Sequence, residues 1–370
     1  MQLTEIVAWL REDRPERLAE LWAAADQVRK DQVGDAVHLR GLVELSSHCV
    51  QRCRYCGIAA TRQGIPRYRL SDTEVLACAA DAQRLGYGTL VMQAGEDPGI
   101  AAEPLADLIR RIKDTTPLAV TLSLGERTPD ELRCWREAGA DRYLLRFETS
   151  RRDLYARIHP GVPGRHSDRF ATLATLRELG YELGSGVMIG LPGQRYLDLA
   201  RDLLTFRELG LEMIGVGPFL PHPETPLGEE VLSGTAPWAS PDEQVPASEE
   251  LTYKVVALTR LLCPTANIPS TTALATLNQE GGRELGLQRG ANVVMPNLTP
   301  ARYRRLYEIY PAKACLAEEP GRFHAQLVAR IHELGRTVGQ GPGSARRGAG
   351  VAQPGTNAGA AADPSPGPKG

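Results

Sequence analysis

The sequence predicts an α/β protein that folds as a (βα)8 barrel of the TIM type. Short apolar, β-branched runs alternate with amphipathic helical stretches along most of the chain, which is the pattern of βα units. Eight such runs are present, and eight βα repeats close a TIM-type barrel. The length of 370 residues is sufficient for one barrel of this kind. An open doubly wound sheet is the alternative that the pattern leaves.

The chain begins with a segment of helical periodicity. Apolar side chains recur at helical spacing between Leu3 and Lys30. We therefore expect residues 1–38 to form an N-terminal helical extension and residues 39–336 to form the barrel.

The barrel elements follow in order. The predicted strands are Leu39–Leu45, Thr89–Gln93, Ala119–Ser123, Tyr143–Arg146, Ser185–Ile189, Met213–Gly217, Asn267–Thr271 and Asn292–Pro296. The clearest predicted helices between them are Ser71–Leu85, Pro129–Glu137, Asp168–Leu179 and Glu249–Leu262.

The C-terminal segment has a different composition. From Thr337 onward Gly, Pro, Ala and Ser dominate. Such a segment buries too little apolar surface to offset its chain entropy. We therefore expect residues 337–370 to be a disordered tail whose removal leaves thermal stability intact.

Composition excludes several classes of function. The formal net charge of −2, with mixed signs, argues against nucleic-acid binding. No apolar run is long enough to span a membrane, and the N-terminus lacks the layout of a secretion signal. An odd count of seven cysteines, three of them clustered, fits metal binding in a reducing, cytoplasmic compartment. Cys78, Cys134 and Cys263 fall in helical patterns, where they are expected as small buried residues.

Cys49, Cys53 and Cys56 are the most informative residues of the chain. Their C-x3-C-x2-C spacing places three thiolates on one short loop directly after the first strand. Three ligands suit a 4Fe-4S cubane with one iron left free, whereas an electron-transfer cluster normally has four thiolates. The alternative is a zinc loop, but structural zinc usually needs a second ligand pair, and no second cysteine pair follows.

Polar residues follow the strands, at the end of a barrel where chemistry collects. Arg146 and Glu148 are two apart on a strand and share a face, so they either pair with each other or clamp a zwitterionic ligand. Arg169 begins a helix, where a cation is unfavourable unless an anion lies nearby. Thr271 and Thr272 are either ligand contacts or ordinary strand threonines. His48 and His222, on loops, are expected at the surface.

The cysteine spacing, with Tyr55 before the third cysteine, resembles the radical S-adenosylmethionine (SAM) enzymes. The resemblance implies that the cluster binds Cys49, Cys53 and Cys56 and that SAM chelates its open iron. One electron from the cluster would then cleave SAM to a 5′-deoxyadenosyl radical. Tyr55 would pack near the adenine. The phrase Gln93–Glu96 resembles the family's glycine-rich segment around the methionyl amine.

Several longer phrases resemble one family of that superfamily, the FeFe-hydrogenase maturases called HydE. They are Arg67–Leu70, Gln93–Pro98, Val120–Glu126, Ala138–Arg146, Gly190–Gln194, Gly217–Pro223, Asn267–Thr272 and Gly290–Asn297. Biotin synthase and methylornithine synthase are similar in fold and share the cysteine loop, but not the whole set. The resemblance implies two groups of site residues. Those for SAM are Tyr55, Gln93, Gly95, Ser123, Glu148, Arg169 and the backbone near Met188. Those for substrate, in the inner cavity, are Thr121, Arg146, Thr271 and Thr272.

The family resemblance also implies a substrate and partners. The substrate would be a small cysteine-bound iron carbonyl cyanide species, a precursor of the diiron subcluster. HydG would supply it, HydF would act as scaffold, and an electron donor would reduce one 4Fe-4S cluster. Two alternatives stay open: a radical SAM mutase or synthase acting on an organic amino acid, and a non-catalytic metal-binding assembly factor.

Two positions depart from the family pattern. HydE proteins usually carry histidine where this chain has Phe147, between Arg146 and Glu148. Strand alternation turns this residue away from its two neighbours, so we expect altered packing rather than lost SAM binding. Some relatives hold a second cluster on C-terminal cysteines. Here only Cys315 is available, so we expect that cluster to be absent.

Overall fold

The computed structural model describes residues 1–314, 316 and 319–345. The strands are β1 Ala36–Ser46, β2 Thr89–Ala94, β3 Ala119–Ser123, β4 Arg142–Leu144, β5 Glu182–Ile189, β6 Met213–Pro218, β7 Val293–Val294 and β8 Thr337–Val338. The helices are α1 Leu3–Leu10, α2 Pro15–Val33, α3 Asp72–Arg84, α4 Ala102–Thr115, α5 Pro129–Glu137, α6 Arg152–Ile158, α7 Arg169–Glu178, α8 Tyr196–Glu208, α9 Pro226–Leu232, α10 Glu249–Leu262, α11 Thr272–Leu277, α12 Gly282–Gln288, α13 Ala301–Arg304 and α14 Pro320–Glu333. None of the helices in these residues is long and apolar enough to cross a lipid bilayer.

The sheet is parallel throughout and has the order β6-β5-β4-β3-β2-β1-β7. Isolated bridges from Met213 to Asn267 and from Pro269 to Val293 connect its two ends. The predicted TIM-type barrel is therefore confirmed. The predicted regular strand Asn267–Thr271 is reduced to bridges because Pro269 has no N–H to donate and Thr271 already caps α11.

The apolar core lies between the sheet and the surrounding helices. Val43, Leu90 and Val120, on neighbouring strands, are fully buried together with Ile109 of α4 and Trp135 of α5. The N-terminal helices α1 and α2 pack on the outside of this layer, against α8 and α10. Strand alternation turns the intervening side chains into the barrel.

The amino end of the barrel contains two buried arginines. Arg142 is fully buried and lies 2.9 Å from Glu182. Arg40 is also buried, and burial together with the charge of Arg142 lowers its pKa to about 9. Buried charges of like sign are tolerated only with well-placed partners.

The segment that follows α14 supplies those partners. The Pro342 carbonyl accepts from Arg142 at 2.9 Å and from the Thr89 hydroxyl at 3.1 Å. The Gly343 carbonyl accepts from Arg40 at 3.1 Å and from the Asn267 amide at 2.9 Å. Residues 339–345 thus close the amino end of the barrel, and we call them the plug.

The prediction that disorder begins at Thr337 is therefore wrong for residues 337–345. Thr337 and Val338 pair with Ala36 and Val37 of β1. The glycines that suggested disorder serve close packing instead. A Cβ on Gly339 would lie 2.4 Å from the ring of His38, and Gly343 has a positive φ of 56°. Residues 346–370 of the predicted tail lie outside the described residues.

A truncation pair tests the plug. We compare a chain that ends at Ala345 with one that ends at Val338, because both lack residues 346–370 and differ only in residues 339–345. The shorter chain should lose about 2–4 kcal/mol of unfolding free energy, since each buried polar group left unsatisfied costs about 1–3 kcal/mol. Urea unfolding measures the difference. Equal stability of the two chains would show that the plug contributes nothing.

Candidate functional site

The cysteine loop, residues 47–60, leaves the carboxyl end of β1 without regular secondary structure and is tied to neighbouring segments. The Val50 N–H donates to the Glu96 carbonyl at 3.0 Å, beyond the end of β2. The Gly57 N–H donates to the Ile309 carbonyl at 3.0 Å, in the segment after α13. Because two distant parts of the chain hold it, the loop has one defined path.

Arg67 connects the two ends of the cysteine loop through hydrogen bonds. Its guanidinium donates to the carbonyls of Ser47, Ile58 at 2.6 Å and Ala59 at 2.9 Å. These carbonyls lie on both sides of the cysteines. The five N–H donors of a guanidinium suit this task because they reach several acceptors in fixed directions. Sequence reasoning missed this role, although the phrase Arg67–Leu70 contains the residue.

The three cysteines of the loop lie close enough to influence each other's ionisation. Burial raises the pKa of Cys56 to about 12, with a further contribution from Cys49. Burial also raises the pKa of Cys53, and the neighbouring charge of Cys56 raises it further. Three thiolates this close together need a compensating positive charge. Iron supplies such a charge, and thiolate is the form that binds it.

The three thiols of the loop are compatible with a 4Fe-4S cluster. In the part of the chain that the structure describes, no three His, Cys, Asp or Glu side chains converge as one metal ion requires. A cubane binds its thiolates through different iron atoms, so its ligands need not meet at one point. The loop thus provides a donor set suited to a 4Fe-4S cluster.

Gly95 lies in direct contact with the cysteine loop. A Cβ at this position would lie 2.3 Å from the His48 carbonyl oxygen and 2.8 Å from the Cys49 Cβ. Only glycine therefore allows the end of β2 to approach the first cysteine. Gln93, two residues before Gly95, donates through its side-chain amide to the Tyr307 hydroxyl at 3.2 Å.

Arg146 and Glu148 form an ion pair at the end of β4, 3.1 Å between guanidinium nitrogen and carboxylate oxygen. The pairing alternative raised by the sequence is thus present, and a role in ligand binding stays a prediction. Glu148 has a positive φ of 64°. A non-glycine residue in this region is strained, and such strain clusters at functional sites. Met188, of β5, donates its N–H to the Glu148 carbonyl at 3.2 Å.

Arg169 is the first residue of α7 and has an anion nearby, as its position requires. Its Nε lies 3.4 Å from Glu126, and its guanidinium donates to the Arg146 carbonyl. Burial alone would lower the pKa of Arg169, but the nearby groups of Tyr155, Tyr55 and others raise it overall. This cation therefore stays charged beside the cysteine loop and the Arg146–Glu148 pair.

The barrel interior has open space and an unpaired hydroxyl. Thr121 of β3 is 2 % exposed, and its Oγ1 has no hydrogen-bond partner among the described residues. A Cβ on Gly215 would meet no described atom within 4 Å. Both residues alternate along their strands with core residues that face the helices, so Thr121 and Gly215 face a cavity inside the barrel. Buried polar groups are nearly always satisfied, so Thr121 is suited to contact a ligand.

The other predicted site residues occupy several elements. Ser123 ends β3 beside Gln93 in the parallel register, and both are partly exposed. Thr271 uses its hydroxyl to cap α11 at Leu274, which occupies that group structurally. Thr272 is the first residue of the same helix and is partly exposed.

Phe147 points away from the barrel interior, as the strand alternation predicts. Its ring stacks on Phe170 of α7 at 5.2 Å between centroids and meets Phe206 of α8 at 5.7 Å. The residue is 1 % exposed. The departure at this position therefore changes the layer between strand and helices, not the face that carries Arg146 and Glu148.

Two histidines correct the sequence analysis. His222 is 6 % exposed, so the prediction of a surface position is wrong. It packs against the end of the cysteine loop, where a Cβ on Gly57 would lie 2.8 Å from its ring. His159 was not singled out, yet its Nδ1 lies 3.3 Å from the Cys53 sulfur. A lone histidine before a proline carries no periodic signal, so only the fold shows this contact.

A cleft of about 570 Å³ opens beside the site. It lies between the cysteine loop and the segment that leads into α7. Gln51, Glu96, Glu126, His159 and Arg165 line it. His159 therefore lies between the cysteine loop and this cleft. Cys315, the other cysteine considered as a cluster ligand, lies outside the described residues.

Comparisons with known proteins agree with this geometry. The family model described as the Radical SAM superfamily matches residues 43–205. The FeFe hydrogenase maturase subunit HydE of Thermotoga maritima is 42% identical over 327 residues, covering 88% of this chain and 89% of that protein. The 3-methylornithine synthase of Methanosarcina acetivorans is 28% identical over 295 residues, 78% of this chain and 77% of that protein. The crystal structure of methylornithine synthase (PylB) has a TM-score of 0.75 at 24% identity, covers 92% of this chain and 94% of that one, and thus shares the fold.

Phe147→His tests how this position acts. An imidazole placed between Phe170 and Phe206 has no described polar partner there, so the substitution should cost about 1–3 kcal/mol of unfolding free energy. SAM affinity should not change, because the side chain faces the helices. Calorimetric unfolding and SAM titration measure the two quantities, with Phe147→Leu as the control for lost ring packing. A large drop in SAM affinity without loss of stability would contradict this assignment.

Proposed function

Because this chain belongs to the radical SAM superfamily and, within it, to the HydE family of FeFe hydrogenase maturases, we propose that it binds one 4Fe-4S cluster through Cys49, Cys53 and Cys56. One observation carries the proposal: three thiols, with Cys53 buried and Cys49 and Cys56 partly exposed, lie on a single loop at the carboxyl end of the barrel. The other cysteines that the structure describes, Cys78, Cys134 and Cys263, are associated with helices α3, α5 and α10.

The proposed SAM site surrounds this loop. When bound, the cluster would supply one electron, and SAM would supply a 5′-deoxyadenosyl radical. The chain's own task is to hold SAM and exclude water from it. In this proposal Arg169 pairs with the carboxylate of SAM, and the strained Glu148 accepts hydrogen bonds from SAM. The remaining proposed contacts are Tyr55, Gln93, Gly95, Ser123 and the backbone at Met188.

The proposed substrate site is the interior cavity lined by Thr121, Arg146, Thr271 and Thr272. The Thr121 hydroxyl, which has no partner among the described residues, and the Arg146 guanidinium offer polar groups to the carboxylate of an amino acid. We propose that the substrate is a cysteine-bound iron carbonyl cyanide species on the way to the diiron subcluster. Its supplier and acceptor would be HydG and HydF, and a low-potential protein would donate the electron.

The same groups suit a second candidate, an organic amino acid without iron. The carboxylate of an α-amino acid would meet Arg146 in the same way. The 28% identity with 3-methylornithine synthase keeps this mutase or synthase activity as the alternative. The two candidates differ in what lies beyond the α-carbon, so turnover with authentic substrates separates them.

Cysteine variants test the cluster assignment. Each of Cys49→Ala, Cys53→Ala and Cys56→Ala should abolish formation of 5′-deoxyadenosine from SAM, because a cubane held by two thiolates loses its defined open iron. Cys134→Ala is the matched control, since this partly exposed thiol lies on α5, and should behave as the parent. Chromatography of reduced reaction mixtures measures the product. Full product formation in any loop variant would refute the assignment.

Substrate addition extends the same assay. The iron carbonyl cyanide species should be altered in proportion to the 5′-deoxyadenosine formed, as followed by infrared spectroscopy of its carbonyl and cyanide groups. Turnover of a free organic amino acid, with the iron species untouched, would favour the alternative. Absence of SAM cleavage in the iron-loaded parent would leave only an assembly factor.

A further inference from the structure

Three side chains, those of Tyr55, His159 and Cys53, contact one another in series. The Tyr55 hydroxyl lies 2.7 Å from His159 Nε2, and His159 Nδ1 lies 3.3 Å from the Cys53 sulfur. His159 is 8 % exposed and Cys53 is 9 % exposed. These contacts therefore lie in a dry environment, where hydrogen bonds act strongly.

The imidazole is fixed in orientation as well as in position. His159 follows the last residue of α6, and its backbone N–H donates to the Tyr155 carbonyl at 2.8 Å. Its ring stacks on the Tyr155 ring, 4.7 Å between centroids at an interplanar angle of 5°. The Arg54 N–H donates to the Ile158 carbonyl at 2.9 Å, which ties the end of α6 to the cysteine loop. The ring is thus held flat and directed at Cys53.

The hydrogen-bond partners select one tautomer. Each ring nitrogen of an imidazole either donates a proton or accepts one, and its partner decides which. The phenol of Tyr55 has one O–H to donate. An iron-bound Cys53 is a thiolate and can only accept. The Tyr55 hydroxyl must then donate to Nε2, and Nδ1–H must donate to sulfur.

We propose that His159 is a positioning residue that donates a hydrogen bond to the Cys53 thiolate and thereby raises the reduction potential of the cluster. This inference rests on the proposed function, because it requires a cluster on Cys53. When one electron enters from a low-potential donor, the cluster gains a negative charge and the proton stays on Nδ1. A donor to a ligating sulfur stabilises the more negative state, and hydrogen bonds to the sulfurs are a recognised determinant of these potentials.

The test is a redox titration of the reconstituted cluster, followed by electron paramagnetic resonance without SAM or substrate. In His159→Phe the balance between oxidised and reduced cluster should shift about tenfold towards the oxidised form, which for one electron is about 59 mV. His166→Phe is the matched control: this histidine is exposed on the following loop and should leave the potential unchanged. Equal potentials in parent and His159→Phe would overturn the inference.

A second pair of variants tests the inference independently if His159→Phe does not fold. The amide of His159→Asn places an N–H donor near the position of Nδ1, so the parent potential should be largely retained. The longer amide of His159→Gln reaches towards the position of Nε2 instead, so the potential should fall as in the Phe variant. Equal potentials in the Asn and Gln variants would overturn the inference. A parent chain that binds no 4Fe-4S cluster would instead refute the proposed function.

Discussion

The Arg67 guanidinium is the interaction on which the site depends, because it holds an irregular loop in one shape. The cysteine loop has neither helix nor strand to position its thiols, and a chain without such support is entropically free. Arg67 satisfies carbonyls on both sides of the cysteines, while Glu96 and Ile309 accept from the loop's own N–H groups. Gly95 then allows β2 to lie directly against Cys49. A donor set for a cluster results from this close packing rather than from the cysteine spacing alone.

The two ends of the barrel use buried charge in opposite ways. At the amino end, Arg40 and Arg142 are matched by carbonyls of the plug, by Glu182 and by Thr89, and the polar groups of that layer mainly stabilise the fold. At the carboxyl end, Glu148 is strained and Thr121 has an unpaired hydroxyl among the described residues. This division is typical of TIM-type barrels, in which stability and chemistry lie at opposite faces. It is also where local rules of good packing are expected to fail, because ligands complete such sites.

Much of the fold was predictable because it depends on local periodicity. The bounds of Ala119–Ser123, Pro129–Glu137 and Glu249–Leu262 agree with the sequence prediction residue for residue. The seventh strand was predicted as regular because composition alone does not show that Pro269 and the cap at Thr271 leave only bridges. Composition predicts disorder for the plug because its glycines bury little apolar surface. The contacts that stabilise the plug come instead from arginines some 200 and 300 residues earlier. His159 leaves no pattern for the same reason, because its partner Cys53 lies 106 residues earlier. Arg67 donates to backbone carbonyls 8 to 20 residues earlier, and bonds to main-chain oxygens leave no pattern in neighbouring side chains.

The central claim is that three thiolates of this loop hold a 4Fe-4S cluster whose fourth iron is open to SAM. Mössbauer spectroscopy of the anaerobic, ⁵⁷Fe-reconstituted chain, recorded with and without SAM, tests it most directly. The account predicts a cluster in which one iron of the four changes its isomer shift when SAM is added, while the other three keep tetrahedral sulfur coordination. A zinc-loaded protein without iron, or a cluster with four equivalent irons that SAM does not alter, would contradict it.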